Sequence, residues 1–139
     1  MGIESEKVVG VSHAVGTFEV KMKPETLSET AAKTAIGRMS LDKVYSGQLE
    51  ATSQGEFLSA MGSVKGSAGY VAMERVTGTL DGKAGSFVLQ HTGTMNRGAP
   101  ALSVTVVPDS GSGELAGIDG TMKIDIVEGK HNYEFAYSV

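Results

Sequence analysis

Alternation of apolar and polar residues with a period of two runs through nearly the whole chain, and no segment carries a convincing 3.6-residue period. A period of two places successive side chains on opposite faces of an extended strand, so the chain is committed to β-structure. The alternating runs cover 13–22, 36–46, 48–60, 66–80, 83–95, 101–107, 118–127 and 130–138. Between them lie a polar connection at 23–35 with room for one helical turn, a turn at 96–100, and a Gly/Ser loop at 108–117 with a short extended piece. Regularly spaced strands separated by turn signals predict a sandwich or a barrel.

Two hairpins can be registered from local signals. Asp81-Gly82 fits a type I′ turn, whose two central residues both need positive φ. A two-residue loop pairs Leu80 with Lys83. It follows that Val76 faces Phe87, Glu74 faces Leu89, and Ala72 faces His91 on one side of the ribbon. Glu74 and His91 are then diagonal neighbours, roughly 7–8 Å apart at Cα and within side-chain reach. Glu128-Gly129 gives a second turn and pairs Val127 with Lys130. Met122, Ile124 and Ile126 then share an apolar face with Phe135, Tyr133 and His131, and Gly120 and Tyr137 follow. Lys123 with Glu134 and Asp125 with Asn132 take the solvated face. A one-residue slip would bury Lys123 and Glu134.

A closed antiparallel barrel of about eight strands is the expected all-β architecture. Its ribbons are about ten residues long, and pairing the first strand with the last removes both open edges. The 19 glycines, spread evenly, supply the bends a small barrel needs. The chain is read as a mobile lead over 1–12 followed by one domain over 13–139, a usual size for a single core.

Composition narrows the function classes. With no cysteine there is no disulfide, thiolate metal site or cysteine nucleophile. A net charge of −4 lacks the basic footprint of a nucleic-acid binder. No stretch approaches the roughly 20 apolar residues of a membrane helix, and the early acids argue against a secretory signal. Met1-Gly2 lacks the Ser or Thr at position 6 that myristoylation wants, since Glu6 stands there. A cytoplasmic protein without membrane or nucleic-acid partners is expected. The three histidines lack zinc spacing, and Asp109, Glu114 and Asp119 miss the EF-hand pattern, so neither a metal nor another cofactor is expected. There is no P-loop and no nucleophile elbow.

The segments GTFEVKMKP, GRMSLDKVYSGQLEATSQGEFLSA, GSAGYVAMERVTGTLDGKAGSFVLQHTGTM and LSVTVVPDSGSGELAGIDGTMKIDIVEGKHNYEFAY resemble an uncharacterised bacterial family, domain of unknown function 3224, over about 13–139. That family is similar in architecture to allene oxide cyclase and dirigent-like barrels. The resemblance implies an eight-strand barrel with a central cavity and, as in related barrels, association into dimers or trimers. It supplies no activity, because no catalytic set carries over residue by residue.

Glu74 and His91 are the candidate chemical pair, with Tyr70 two residues from Ala72 on the same face. A cavity shifting both pKa values toward neutrality would suit them to acid/base work, or to holding a polar ligand head. The alternative is a satisfied polar pair that fixes register inside the barrel. His131, Tyr133 and Tyr137 on the last ribbon, with Leu89 and Phe135, are candidate ligand-wall residues, or simply core. Three functions stay open: a binder of a small apolar ligand, a cyclase or isomerase using the same pair, and a structural barrel with a filled core. A cavity above roughly 300 Å³ facing the pair favours the first two, and a solid lumen the third. Glu74→Gln and His91→Ala are each expected to leave the fold intact, and unfolding of either would favour the structural reading.

Overall fold

The computed structural model describes residues 10–139. Of the expected lead, residues 1–9 lie outside the described residues, and Ser12 already begins the first strand. Nine strands follow: β1 Ser12–Pro24, β2 Gly37–Gly47, β3 Leu49–Met61, β4 Ala68–Leu80, β5 Lys83–Asn96, β6 Ala99–Val106, β7 Ser112–Gly113, β8 Asp119–Val127 and β9 Lys130–Ser138. A single 3-10 turn, Ala31–Lys33, sits in the β1–β2 connection.

Eight strands close into an antiparallel barrel in the order β4-β3-β2-β1-β9-β8-β6-β5, and β5 returns to β4. The ninth, β7, adds two residues to the start of β5. Closure places β1 against β9, with Phe18 opposite His131 and Ser12 opposite Tyr137. Both sequence-registered hairpins hold: Leu80 pairs with Lys83, Glu74 with Leu89, Met122 with Phe135 and Lys123 with Glu134. Asp81 and Gly82 take φ of 49° and 83°, and Glu128 and Gly129 take 52° and 80°, as type I′ turns require.

The turn expected at 96–100 is tighter than that. Arg97 and Gly98 alone form it, with φ of 49° and 91°, so β6 starts at Ala99. Arginine is an unusual residue at positive φ, which hid this third two-residue turn. One joint of the barrel differs from the rest. Strands β6 and β8 meet at a single bridge, Thr105 with Thr121, whereas β8 and β9 pair along their whole length.

The two ends of the barrel are unlike. At one end Phe87, Phe135 and Tyr137 stack at 5.6 and 5.4 Å between ring centroids, over Leu49, Val76 and Leu80. The loop between β6 and β8 folds Leu115 and Ile118 over this end and buries both. Tyr137 donates its hydroxyl proton to Asp81, and Gln48 Nε2 donates to the other Asp81 oxygen at 2.9 Å. This end is filled. At the other end Met22 and Ile126 stand exposed above the lumen.

Glycine 93 makes room for the ring of Tyr70, its partner across the β4–β5 ribbon. A Cβ at this position would fall 2.2 Å from Tyr70 Cε1. Gly93→Ala should therefore cost about 1–3 kcal/mol through overpacking. Denaturant unfolding checks this, and the cost should shrink in a Tyr70→Ala background.

Candidate functional site

Halfway along the lumen, the alternation of four adjacent strands directs polar groups at one point. Inward positions of β2 carry Leu41, Lys43 and Tyr45. Those of β3 carry Ser53, those of β4 Glu74, and those of β5 His91. Glu74 is 1% exposed, and the other five are buried with it.

The Glu74 carboxylate accepts four hydrogen bonds. Oε1 takes the Tyr45 hydroxyl at 2.6 Å and the Ser53 hydroxyl at 2.7 Å. Oε2 takes Lys43 Nζ at 2.7 Å and His91 Nε2 at 2.6 Å. Since an ionised carboxylate only accepts, the shared proton position on His91 is Nε2. Its Nδ1 makes no hydrogen bond among the described residues. The Lys43 ammonium also lies over the Phe18 ring, 4.5 Å from its centroid. No buried polar side-chain atom among the described residues is left without a partner.

This arrangement sets the electrostatics. Burial alone would raise the Glu74 pKa, but the His91 hydrogen bond and the Lys43 charge outweigh it and lower the value from 4.5 to about 2. Burial and the adjacent carboxylate push the Tyr45 hydroxyl well above its ordinary range. Glu74 is therefore fixed as an anion, not poised near neutrality as the sequence alone suggested. A carboxylate of so low a pKa is a weak general base at neutral pH.

Above this layer the lumen is open. A cavity of about 270 Å³ fills the barrel mouth, a little under the roughly 300 Å³ expected of a ligand site, although the lumen is not packed solid. Its walls are Phe18, Val20, Met22, Leu41, Phe57, Ala72, Leu102, Ile124 and Ile126. Four polar side chains interrupt them: Lys43, Tyr70, His91 and His131. The Tyr70 ring packs edge-on against Phe57 at 5.6 Å, and burial raises its pKa. The His131 ring lies tilted against Phe18, 4.9 Å between centroids.

Of the residues singled out from sequence, the structure brings Glu74, His91, Tyr70 and His131 to this region. Tyr70, His91 and His131 line the cavity, and Glu74 lies behind them. Leu89, Phe135 and Tyr137 do not reach the cavity, because they sit in layers nearer the filled end. Tyr133 also lies below it. Its hydroxyl accepts from the Leu49 amide and donates to the Ser46 carbonyl, both at 3.0 Å, pinning the β2–β3 turn. Sequence reasoning missed Lys43, Tyr45 and Ser53. The signal was a lysine between Leu41 and Tyr45 on an otherwise apolar face. Among the described residues no three His, Asp or Glu side chains are arranged to hold a metal ion. No helix among them is long and apolar enough to cross a membrane.

Fold and site together define a small closed β-barrel, filled at one end, with a buried carboxylate cluster beneath an open apolar mouth. The chain belongs to the family described as Protein of unknown function (DUF3224), whose model matches residues 14–137. A crystal structure of a protein with unknown function from the DUF3224 family of Shewanella oneidensis MR-1 is similar to it, with 53% identity and a TM-score of 0.84. That match covers 91% of this chain and 96% of the Shewanella chain. No curated protein matches the chain.

Glu74→Gln removes the charge that compensates buried Lys43, so a loss of about 3–5 kcal/mol is expected, in contrast to the intact fold expected from sequence. The pH dependence has a definite sign. Glu74 has a lower pKa folded than unfolded, so its stabilisation is complete above about 4.5 and is lost as pH falls toward 2. The interval from 4.5 to about 2 corresponds to about 3 kcal/mol. Urea titrations between pH 7 and 2 should show this fall in the wild type, and a shallower one in Glu74→Gln.

Proposed function

We propose that this protein is a small-molecule-binding barrel that holds one compact, largely apolar ligand in its mouth. The observation that carries the reading is the asymmetry of the lumen: one end is plugged by side chains, while the other keeps about 270 Å³ of apolar-walled space above polar groups. An eight-strand barrel either fills itself or holds one small ligand, and this one does each in a different half.

The cavity volume equals that of about nine waters at liquid density, so the ligand has about as many non-hydrogen atoms. Its apolar body would meet Phe18, Val20, Leu41 and Ile124. A polar substituent would meet the Tyr70 hydroxyl or His91, neither of which has its cavity-side hydrogen-bonding capacity used within the described chain. Lys43 is committed to Glu74 and the Phe18 ring, so it serves as the counter-ion beneath the ligand.

The same geometry argues against a cyclase or isomerase in which Glu74 takes the proton. Four donors occupy its oxygens, and its low pKa leaves little proton affinity at neutral pH. Binding without turnover is the reading the cluster supports best.

Phenol and indole are suitable probes of this size. Ligand-observed NMR should detect both binding to the wild type. Ile126→Trp, at a position 63% exposed in the mouth, should abolish that binding while changing the melting temperature little. Absence of probe binding to the wild type, or unchanged binding to Ile126→Trp, would remove the mouth as the site.

A further inference from the structure

The outer surface of the barrel is divided by charge. Outward positions of β1 carry Glu19, Lys21 and Lys23, and those of β8 and β9 carry Lys123, Asp125 and Glu134. Across the outward positions from Gly69 to Thr79 on β4, Ser86 to Thr94 on β5 and Ala101 to Thr105 on β6, the single charged residue is Arg75, and the neighbouring β3 adds Glu50 near its start and Glu56, which pairs with Arg38. The remainder on β4, β5 and β6 are Thr, Ser, Gly, Ala, Val, Met and Gln. A solvated sheet face ordinarily carries charge, and its depletion with exposed Met and Arg is the compositional mark of an interface.

The same wall exposes large apolar groups. Val71 is 51% exposed, Met73 50% and Leu58 43%. Beside them runs a groove of about 730 Å³, between the β1–β2 connection and the wall. Leu27, Ala31 and Ile36 form one side of it, facing Leu58, Val71 and Met73. Arg38 closes its rim by donating to both Glu56 oxygens at 2.7 and 2.6 Å and to the Thr26 carbonyl. The two charges at the rim therefore cancel.

We propose that two copies of this chain associate face to face through the β3–β4–β5–β6 wall, as a two-fold symmetric dimer. Three observations select a second copy as the occupant. The chain carries a net charge of −4, and the wall is where two such chains meet with the fewest like charges opposed. Protruding Val71 and Met73 lie beside a groove of their own kind, so one surface offers both knob and hole, as a two-fold contact needs. The area also suffices. The four strands hold 13, 13, 14 and 8 residues, which at about 3.3 Å per residue and about 4.8 Å between strands makes about 760 Å². A specific interface takes about 800 Å² per partner and a minimal one about 500 Å², so curvature of the barrel can be accommodated. A ring of three would need two different complementary patches, whereas the described surface has one charge-poor wall.

Sedimentation velocity on the full chain at about 100 μM and neutral pH tests this. The wild type should sediment as a dimer. Val71→Glu with Met73→Glu should weaken association at least a hundredfold and leave the circular dichroism spectrum unchanged, because both positions are exposed. Lys123→Glu, on another face, should leave the dimer intact. Should the double variant misfold, Gln90→Lys, which charges an exposed polar position on the same wall, replaces it with the same expected outcome. A wild-type monomer or trimer overturns the proposal. So does a dimer that a folded wall variant leaves unaffected.

Discussion

One buried carboxylate organises the barrel. Glu74 on β4 draws its four hydrogen bonds from β2, β3 and β5, so a single side chain ties together four adjacent strands. Each donor reaches it only in the observed register. Slipping any of these strands by one residue would turn its polar group outward and leave a charge or a hydroxyl unpaired in the lumen. The apolar layers on either side are permissive about which hydrophobe packs where, but the ionic layer is not.

That layer also divides the lumen into regions of different character. Toward the plugged end the interior is aromatic and close-packed, with the Tyr133 and Tyr137 hydroxyls spent on turn residues. Toward the mouth the walls stand apart, and His91 and Tyr70 meet open space. A satisfied cluster and an open cavity are different findings, and here they coincide. The cluster holds the floor rigid, while the mouth keeps room that side chains do not fill. Saturation of Glu74 directs the functional reading toward recognition, because a carboxylate already holding four donors has little left to offer a reacting proton.

Much of this was legible in the sequence, and the limits have a physical cause. Asp81-Gly82 and Glu128-Gly129 fix loop length, loop length fixes register, and register placed Glu74 beside His91 and Met122 beside Phe135. The β2–β3 connection has no such signal. Its Gly47, at φ 110°, interrupts a loop whose length cannot be counted from residue types, and an error of one residue reverses every side chain. Lys43, Tyr45 and Ser53 therefore stayed unassigned, although Lys43 on the Leu41–Tyr45 face was visible as an anomaly. Cavity depth was illegible for another reason. Leu89, Phe135 and Tyr137 point inward as alternation requires, but how far each lies from the mouth depends on strand stagger around the whole ring.

The single bridge between β6 and β8 has a mechanical meaning. Seven joints of the cylinder are zipped by ladders of hydrogen bonds, and the eighth is held at Thr105 and Thr121 alone. A closed sheet distributes bending strain around its circumference, and compliance concentrates where the fewest bonds resist it. Leu102 on one side of this joint and Ile124 and Ile126 on the other are also cavity walls. Along this line the wall of the mouth lacks the backbone ladder that closes the other seven joints of the cylinder.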